Sequence, residues 1–301
     1  MRIHSLALIL GSALTLAACG DKDDDSGVTD GSDGADGADG ASDGADGSAD
    51  GADGSTDGSD GTAQGTAQLS GTVKWGDGRG AEGLQMRLCY EQCLVANTDT
   101  AGNFVFENVD AHDGHLLQAV ALGQLDVSTP HAVINLAEDE QRTLEADLTI
   151  VEFATWDEMG GAASDYTLDG GLTVVDASPG DLTYGSYTPD PTQDYVASVR
   201  MDPSSAGLPS DGLPDGGIVK ALWYLGNFDA DIGGDGWAFT LEDSLGLTPG
   251  AQLQIFGTDN IQKGWTAGGT ATVQEGGKIT SDVGSGIPLL TTFVLVELPA
   301  G

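Results

Sequence analysis

The chain has 301 residues, of which 48 are acidic and 10 are basic, and its formal net charge is −38. Such an excess of carboxylates argues against nucleic-acid binding, because neutralising phosphates requires a surface rich in lysine and arginine. It also argues against a basic amphipathic helix on a membrane surface. With 47 glycines and 6% aromatic residues, the composition favours strands and turns over helical bundles.

The N-terminus has the parts of an export signal. Arg2 precedes an apolar stretch over residues 5–15, which is too short to span a bilayer comfortably. The stretch ends in Leu16-Ala17-Ala18-Cys19, which resembles a bacterial lipobox, the recognition site of lipoprotein signal peptidase. The resemblance implies that residues 1–18 form a lipoprotein signal peptide and that Cys19 is acylated as the first residue of the mature chain.

Acylation of Cys19 makes a membrane the first expected partner. One acyl chain binds marginally and two bind stably, at about 0.8 kcal/mol per buried methylene. Gly20 follows the cysteine, where an aspartate would favour retention in the inner membrane, so the sequence favours a lipid-anchored envelope protein of the outer membrane. An ordinary cleaved signal with an accidental cysteine is the alternative interpretation.

Residues 19–66 are expected to be the lipidated cysteine and a disordered tether. Repeated Asp-Gly-Ala and Asp-Gly-Ser triplets dominate this segment, and Val28 is its one β-branched aliphatic residue. Such a segment cannot bury enough apolar surface to offset the cost of ordering its backbone, about 1–2 kcal/mol per residue. The tether is therefore predicted to be a solvated spacer, with weak, diffuse binding of divalent cations as the alternative.

Residues 67–153 show the alternation typical of strands. Leu84, Met86 and Leu88 alternate with polar residues, and residues 99–103 form a turn with Gly102 placed for a left-handed conformation. The pattern predicts a small antiparallel β-sandwich. Strands are expected at 69–75, 84–88, 104–109, 115–121, 132–136 and 144–153.

Three motifs in this part occur in the order seen in one domain family. They are Gly71-Thr72-Val73, residues 83–88, and residues 98–109 with the pattern Thr-Asp-x-x-Gly-x-Phe. In this order they resemble the carboxypeptidase regulatory-like, or transthyretin-like, domain. The resemblance implies a β-sandwich that belongs to the carbohydrate-binding-like folds and carries no catalytic residues, and its fold alone establishes no ligand.

Cys89 and Cys93 are expected to form a disulfide, because an exported protein meets an oxidising compartment and a hairpin would bring the two sulfurs together. A redox or metal role is the alternative, although C-x-x-x-C is not the redox C-x-x-C spacing. His112 and His115 flank Asp113-Gly114, a turn dipeptide, which favours a solvated turn over a shared metal site.

Residues 154–301 predict a second β-rich domain, a sandwich or barrel of about six to nine strands. Gly276-Gly277 is a two-residue hairpin signal, and residues 218–225 form a nearly continuous apolar strand. Leu247-Thr248-Pro249-Gly250, Gly264-Trp265, and residues 271–279 resemble ZU5-like β-domains of extracellular proteins. That resemblance implies an interaction module. The loop over residues 202–217 is interpreted either as a mobile binding loop or as a plain loop.

Candidate chemistry in the second domain is sparse. Asp229, Asp231 and Asp235 lie with Asn227 in a glycine-rich loop and are weak candidates for a metal, calcium, although their spacing is not that of an EF-hand and such clusters are usually turns. Three tryptophans are candidates for stacking on sugars, with core packing as the favoured alternative. They are Trp223, Trp237 and Trp265.

The sequence lacks the short motifs of common enzyme classes, including Gly-x-Ser-x-Gly, His-Glu-x-x-His, a phosphate-binding loop and a dinucleotide fingerprint. We therefore expect two β-sandwich-like domains with no catalytic residues and no cofactor, which present binding surfaces for an unknown protein or glycan at the envelope. The alternatives are a glycan-acting hydrolase with an accessory β-domain, and an accessory protein of envelope assembly or transport.

Overall fold

The computed structural model describes residues 66–184, 194–226, 230–259 and 264–299. Regular structure within them is almost entirely β, as the sequence predicts. The exceptions are α1 (Pro203–Ala206) and the 3-10 turns Asp169–Gly171 and Pro179–Asp181. The predicted signal peptide, Cys19 and the tether up to residue 65 lie outside the described residues.

The first β region, residues 67–150, consists of two four-stranded sheets. One has the order β4-β1-β7, with β8 also paired to β1, and the other has the order β3-β2-β5-β6. A single cluster of buried side chains contains residues from both sheets, so the two sheets pack face to face as a sandwich. The strands are β1 (Ala67–Trp75), β2 (Gln85–Cys89), β3 (Cys93–Asn97), β4 (Asn103–Val109), β5 (His112–Val120), β6 (His131–Leu136), β7 (Gln141–Thr143) and β8 (Leu148–Ile150).

In place of the predicted strand 144–153, the segment 141–150 contains two short strands, of which β7 lies before the predicted range and β8 lies within it. β7 pairs with the start of β1 and β8 pairs with its end, and both run parallel to β1 although the sequence predicts an antiparallel sheet. Between them the chain passes beside Gly71, where a Cβ atom would meet the side chain of Leu144. The segment therefore pairs with β1 in two short pieces instead of one long strand.

The predicted turn at residues 99–103 is confirmed in detail. The Asp99 carboxylate accepts hydrogen bonds from the backbone nitrogens of Ala101 (2.9 Å) and Asn103 (2.8 Å), and these bonds lower the pKa of Asp99. Gly102 has a φ of +88°, and a Cβ atom there would collide with the carbonyl oxygen of Val73. Only glycine meets both requirements without strain.

The second β region, residues 155–299, is built mainly on one ten-stranded sheet, with the order β10-β11-β16-β19-β18-β17-β21-β14-β13-β9, and a small sheet, β12-β15-β20. It has more strands than predicted, because several have only two to four residues, too few to show alternation. The strands are β9 (Thr155–Glu158), β10 (Ser164–Thr167), β11 (Leu172–Ala177), β12 (Leu182–Tyr184), β13 (Tyr195–Met201), β14 (Ile218–Gly226), β15 (Ala230–Ile232), β16 (Phe239–Leu241), β17 (Gln252–Asp259), β18 (Gly264–Val273), β19 (Ile279–Ser281), β20 (Leu289–Leu290) and β21 (Thr292–Glu297).

The central strands of the large sheet are buried on both faces. In β14, Trp223 and Leu225 belong to one cluster of buried side chains, and Leu222 and Tyr224 belong to another on the opposite face. This explains why the sequence of β14 is apolar without alternation. The second face is covered in part by three apolar side chains from the segment between β13 and β14, namely Ala206, Leu208 and Leu213.

Candidate functional site

The loop over residues 202–217, here called the strap, is not free in the structure but fixed between the two β regions. The carboxylate of Asp211 accepts hydrogen bonds from the Arg142 guanidinium (2.5 Å) and from the backbone nitrogen of Asn135 (2.8 Å). The indole nitrogen of Trp265 donates to the carbonyl oxygen of Asp211 (2.9 Å). One aspartate thus links a strand of each region, which argues against a mobile binding loop.

The outer face of β5 and β6 is covered by the second region. Gln118 and His131 are almost fully buried there, and the backbone nitrogen of His131 donates to the hydroxyl of Thr292 (2.8 Å). The backbone of Gly212 lies against Val133 and Trp265. The two regions therefore share a buried junction, and a cavity at its edge is lined by both of them.

Such a cavity, here called the junction groove, has a volume of about 270 Å³. The segment after β5 lines it from the first region, and Tyr195 and Leu225 line it from the second. Its lining is mostly apolar, whereas the chain as a whole is strongly acidic. The lining residues are Arg87, Val120, Ala121, Leu122, Gly123, Gln124, Leu125, Val127, Thr129, Phe153, Tyr195, Leu225 and Gly226.

Two leucines at the mouth of the junction groove are unusually exposed. Leu122 is 61% exposed and Leu125 is 43% exposed. The turn that carries them is held by backbone hydrogen bonds from Gln124 to Ala121 (3.1 Å) and from Phe153 to Asp126 (2.8 Å). Contiguous apolar side chains on a fixed turn are typical of an interaction surface.

Tyr195, which lines the junction groove, belongs to a stacked aromatic pair. Tyr195 is buried, and its ring stacks on Trp156, with 3.8 Å between centroids and 15° between planes. Trp156 lies on the edge strand β9 and is 42% exposed. Sequence reasoning missed this pair, since it forms only when β9 pairs with β13.

Acidic residues are sequence neighbours of the lining of the junction groove, and one lining side chain is cationic. Asp126 and Glu152 are exposed and adjoin lining residues in sequence, and Asp194 precedes Tyr195. Arg87 is the cationic side chain among the described lining residues, and its Nε donates to Gln85 Oε1 (2.7 Å). The groove is thus a mostly apolar surface whose described lining contains no carboxylate, on a chain of formal net charge −38.

A second cavity, here called the acidic cavity, lies wholly within the second region and has a volume of about 350 Å³. Asp231, Asp235 and Asp259 line it, together with glycine backbone. Asp259 is buried and accepts a hydrogen bond from the hydroxyl of Thr266 (3.0 Å). Burial, and secondly the nearby Asp259 carboxylate, raise the pKa of Asp231.

The structure places two of the three calcium candidates, Asp231 and Asp235, in the acidic cavity. Asp229 and Asn227 lie outside the described residues. Within the part of the chain that the structure describes, no three His, Cys, Asp or Glu side chains are grouped as a metal site would require. Calcium binding at this loop stays a prediction.

The predicted disulfide is present. Cys89 and Cys93 are bonded and face each other at the end of the β2–β3 hairpin, as the expectation of a hairpin requires. The bond closes a very short loop, so its entropic stabilisation is expected to be small. It fixes the pairing register of β3, which is an edge strand of its four-stranded sheet.

The prediction of a solvated turn at His112 and His115 is wrong. Both residues lie in β5, which has an irregular register against β6 between them. His115 is buried, its Nε2 donates to the carbonyl oxygen of Asp110 (2.9 Å), and burial lowers its pKa. The ring of Tyr90 stacks on His112 (3.6 Å between centroids), so the cluster is a packing arrangement.

The three tryptophans proposed for sugar stacking all serve packing. Trp223 and Trp237 are buried, and their indole nitrogens donate to Asp169 and Asp181. Trp265 is half-buried against the strap. The favoured alternative, core packing, is therefore confirmed for these residues, and the exposed aromatic residue is Trp156 instead.

In the described ranges, no helix has the length and apolar character needed to cross a membrane. No protein-family model matches the sequence, and no curated protein matches it.

Comparison with solved structures gives weak similarities. A candidate carbohydrate-binding protein from Bacteroides uniformis is 9% identical over 77% of this chain and 79% of its own, with a TM-score of 0.24. A DUF3823 family protein from Bacteroides ovatus is 10% identical over 78% of this chain and 83% of its own, with a TM-score of 0.23. The major pilin SpaD from Corynebacterium diphtheriae is 9% identical over 75% and 80%, with a TM-score of 0.25. Scores at this level carry no argument about function.

Proposed function

We propose that the chain is a lipid-anchored, non-catalytic binding protein of the cell envelope, placed at the outer membrane by acyl groups on Cys19. The observation that carries the binding role is the junction groove, where exposed Leu122 and Leu125 border an apolar cavity. Residues 21–65 act as a spacer that holds the β regions away from the lipid. The resemblances to carboxypeptidase regulatory-like and ZU5-like domains support an interaction role over catalysis.

The anchor is tested by removing its attachment atom. The Cys19→Ala variant should be released as soluble protein, while the parent chain stays with the membrane fraction and incorporates a palmitate analogue. A Cys93→Ala variant is the matched control and should stay anchored, because its sulfur forms the internal disulfide. A Cys19→Ala variant that remains membrane-bound contradicts the anchor.

Binding is tested by screening the full-length chain on a glycan array and against envelope proteins. Leu122→Ser combined with Leu125→Ser should abolish binding of a specific ligand, because both side chains form the mouth of the groove. Val283→Ser is the matched control, since Val283 is fully exposed and does not line the groove. Ligands that bind both variants equally well would place binding elsewhere.

A second candidate function, a glycan-acting hydrolase, is favoured by the acidic cavity. Two carboxylates in one cleft with different environments are the arrangement that glycoside hydrolysis uses, and burial shifts the pKa of Asp231 upwards, the direction that a general acid requires. If this function is correct, Asp231→Asn and Asp259→Asn should each abolish hydrolysis of a polysaccharide panel. Glu275→Gln, on an exposed turn, is the control and should leave hydrolysis unchanged.

A further inference from the structure

We infer that the junction groove receives an apolar side chain that a protein partner presents from a basic surface. This inference rests on the proposed binding function and names the class of partner. It depends on the shape and lining of the groove and on the net charge of the chain.

The size of the groove suits one large side chain. An engineered cavity of about 150 Å³ is enough to bind benzene, and the groove has about 270 Å³. It therefore has room for an aromatic or long aliphatic side chain, with the exposed Leu122 and Leu125 beside the point of entry. Protein interfaces commonly concentrate their binding energy in such an anchor residue, which fills a pocket surrounded by less critical contacts.

The apolar lining favours a protein over a glycan. Val127, Phe153 and Leu225 contribute apolar walls, and the polar groups of the described lining side chains are those of Arg87, Gln124, Thr129 and the Tyr195 hydroxyl. A sugar ring would bury many hydroxyl groups against such walls, and buried hydroxyls without partners cost free energy. A hydrocarbon side chain has no such penalty.

The net charge of the chain favours a basic partner. The whole chain carries a formal charge of −38, and the exposed Asp126 lies in sequence between the lining residues Leu125 and Val127. Complementary charge accelerates association and excludes partners of the same sign. An acidic glycan or an anionic lipid surface would be repelled, whereas lysine or arginine around an apolar anchor would be attracted.

The test uses the full-length chain and fluorescein-labelled peptides in a polarisation assay. The probe is Lys-Lys-Phe-Lys-Lys, with Lys-Lys-Ser-Lys-Lys and Glu-Glu-Phe-Glu-Glu as controls. Loss of the aromatic ring or reversal of the charges should each weaken binding by about tenfold or more. Binding should also weaken when salt rises from about 0.01 M to about 1 M, because the Debye length falls from about 30 Å to about 3 Å.

Variants locate the binding site on the protein. Leu122→Ser with Leu125→Ser should weaken peptide binding by about tenfold, and Val283→Ser should leave it unchanged. Asp126→Lys should also weaken it, with Glu107→Lys on the exposed face of β4 as its control. All five side chains that these substitutions alter are exposed, so the fold should be retained.

Four outcomes overturn the inference, and the last of them also overturns the proposed function. Equal binding of the phenylalanine and serine peptides removes the anchor, and equal binding of the Lys and Glu peptides removes the charge requirement. Binding of a neutral oligosaccharide, cellohexaose, that depends on Leu122 and Leu125 makes the groove a glycan site and leaves the proposed binding function intact. If neither peptide nor any glycan of the array binds in a way that depends on these leucines, the proposed function is wrong as well.

Discussion

The junction groove and the acidic cavity differ in the charge of the side chains that line them. The groove is built from both β regions, and its described lining is mostly apolar and contains no carboxylate. The acidic cavity is built within one region and places three carboxylates in its lining. The contrast indicates that the groove can recognise an apolar group without desolvating charge, whereas any group entering the acidic cavity meets carboxylates directly.

The groove also depends on the junction, and the acidic cavity does not. Residues from β2, β13 and β14 meet in the groove only while the two regions are held together by contacts such as those of the strap. The acidic cavity draws its lining from residues 231–289 alone. Substitutions at the junction should therefore separate the two sites experimentally.

The largest expected effect distinguishes the floor of the groove from its mouth. Leu225 is 4% exposed, and Leu225→Ala should lower the free energy of unfolding by about 2–5 kcal/mol, because it leaves a cavity in the core. Leu122→Ala should change it by less than about 0.5 kcal/mol, because the side chain is largely in water. Urea unfolding monitored by tryptophan fluorescence measures both. A large loss of stability for Leu122→Ala would mean that the mouth is structural and not available for a ligand.

The next largest expected effect on the free energy of unfolding comes from the ion pair between Arg142 and Asp211 of the strap. Arg142→Gln should lower the free energy of unfolding by about 1.5–3 kcal/mol, since it leaves the half-buried Asp211 carboxylate without its guanidinium partner. Ligand binding at the groove should weaken, while properties of the acidic cavity stay unchanged. Lys278→Gln is the control, because its partner Glu242 is mostly exposed and such surface pairs contribute about 0–1 kcal/mol. Equal losses in the two variants would show that the strap does not hold the junction.

One buried side chain beneath the strap carries a polar group, the Tyr224 hydroxyl, which a substitution can remove. Tyr224 is fully buried, its hydroxyl has no hydrogen-bond partner among the described residues, and burial raises its pKa. Tyr224→Phe should therefore raise the free energy of unfolding by about 1 kcal/mol. Tyr166→Phe should lower it slightly, because the Tyr166 hydroxyl accepts a hydrogen bond from Gly160. A destabilising Tyr224→Phe would show that the hydroxyl has a role in the junction.

The local features of this fold could be predicted from the sequence, because they depend on residues that lie close together in the chain. The turn at Gly102, the Cys89–Cys93 hairpin and the Gly276-Gly277 turn each depend on residues that are neighbours in the chain. Alternation also indicates the longer strands, because successive side chains point to opposite faces. The apolar run in β14 shows burial on both faces, although the sequence does not say what covers each face.

The junction groove could not be predicted, because no local pattern contains it. Leu122, Phe153, Tyr195 and Leu225 are far apart in the chain and meet only after two sheets have packed together. The one available signal was Leu122-Gly123-Gln124-Leu125, two leucines in a glycine-containing turn between predicted strands. Asp259 was missed for the same reason, since β17 and β18 bring it to Asp231 from a distant part of the sequence.

The smallest expected effect concerns Asp231 in the acidic cavity. The raised pKa of Asp231 means that the folded chain holds a proton there more tightly than the unfolded chain does. Ionised Asp231 therefore destabilises the fold at neutral pH, and this penalty disappears as the pH falls through the raised pKa towards the ordinary value of 3.8. Asp231→Asn should raise the free energy of unfolding at neutral pH by roughly a few tenths of a kcal/mol, because the group is partly exposed and screened by solvent.

The pH profile of that variant identifies the cause. The gain from Asp231→Asn should vanish in acid, whereas Asp243→Asn should show the opposite sign, because hydrogen bonds from Leu245 and Arg200 lower the pKa of Asp243. Melting temperatures of the parent and both variants between acid and neutral pH measure the two profiles. If calcium stabilises the parent and Asp231→Asn removes that stabilisation, the carboxylates of the acidic cavity act together on a cation, and their repulsion is the property that a ligand relieves. If calcium leaves the melting temperatures of all three proteins unchanged, calcium does not relieve the repulsion between the carboxylates. The junction groove is then the stronger candidate for the functional site.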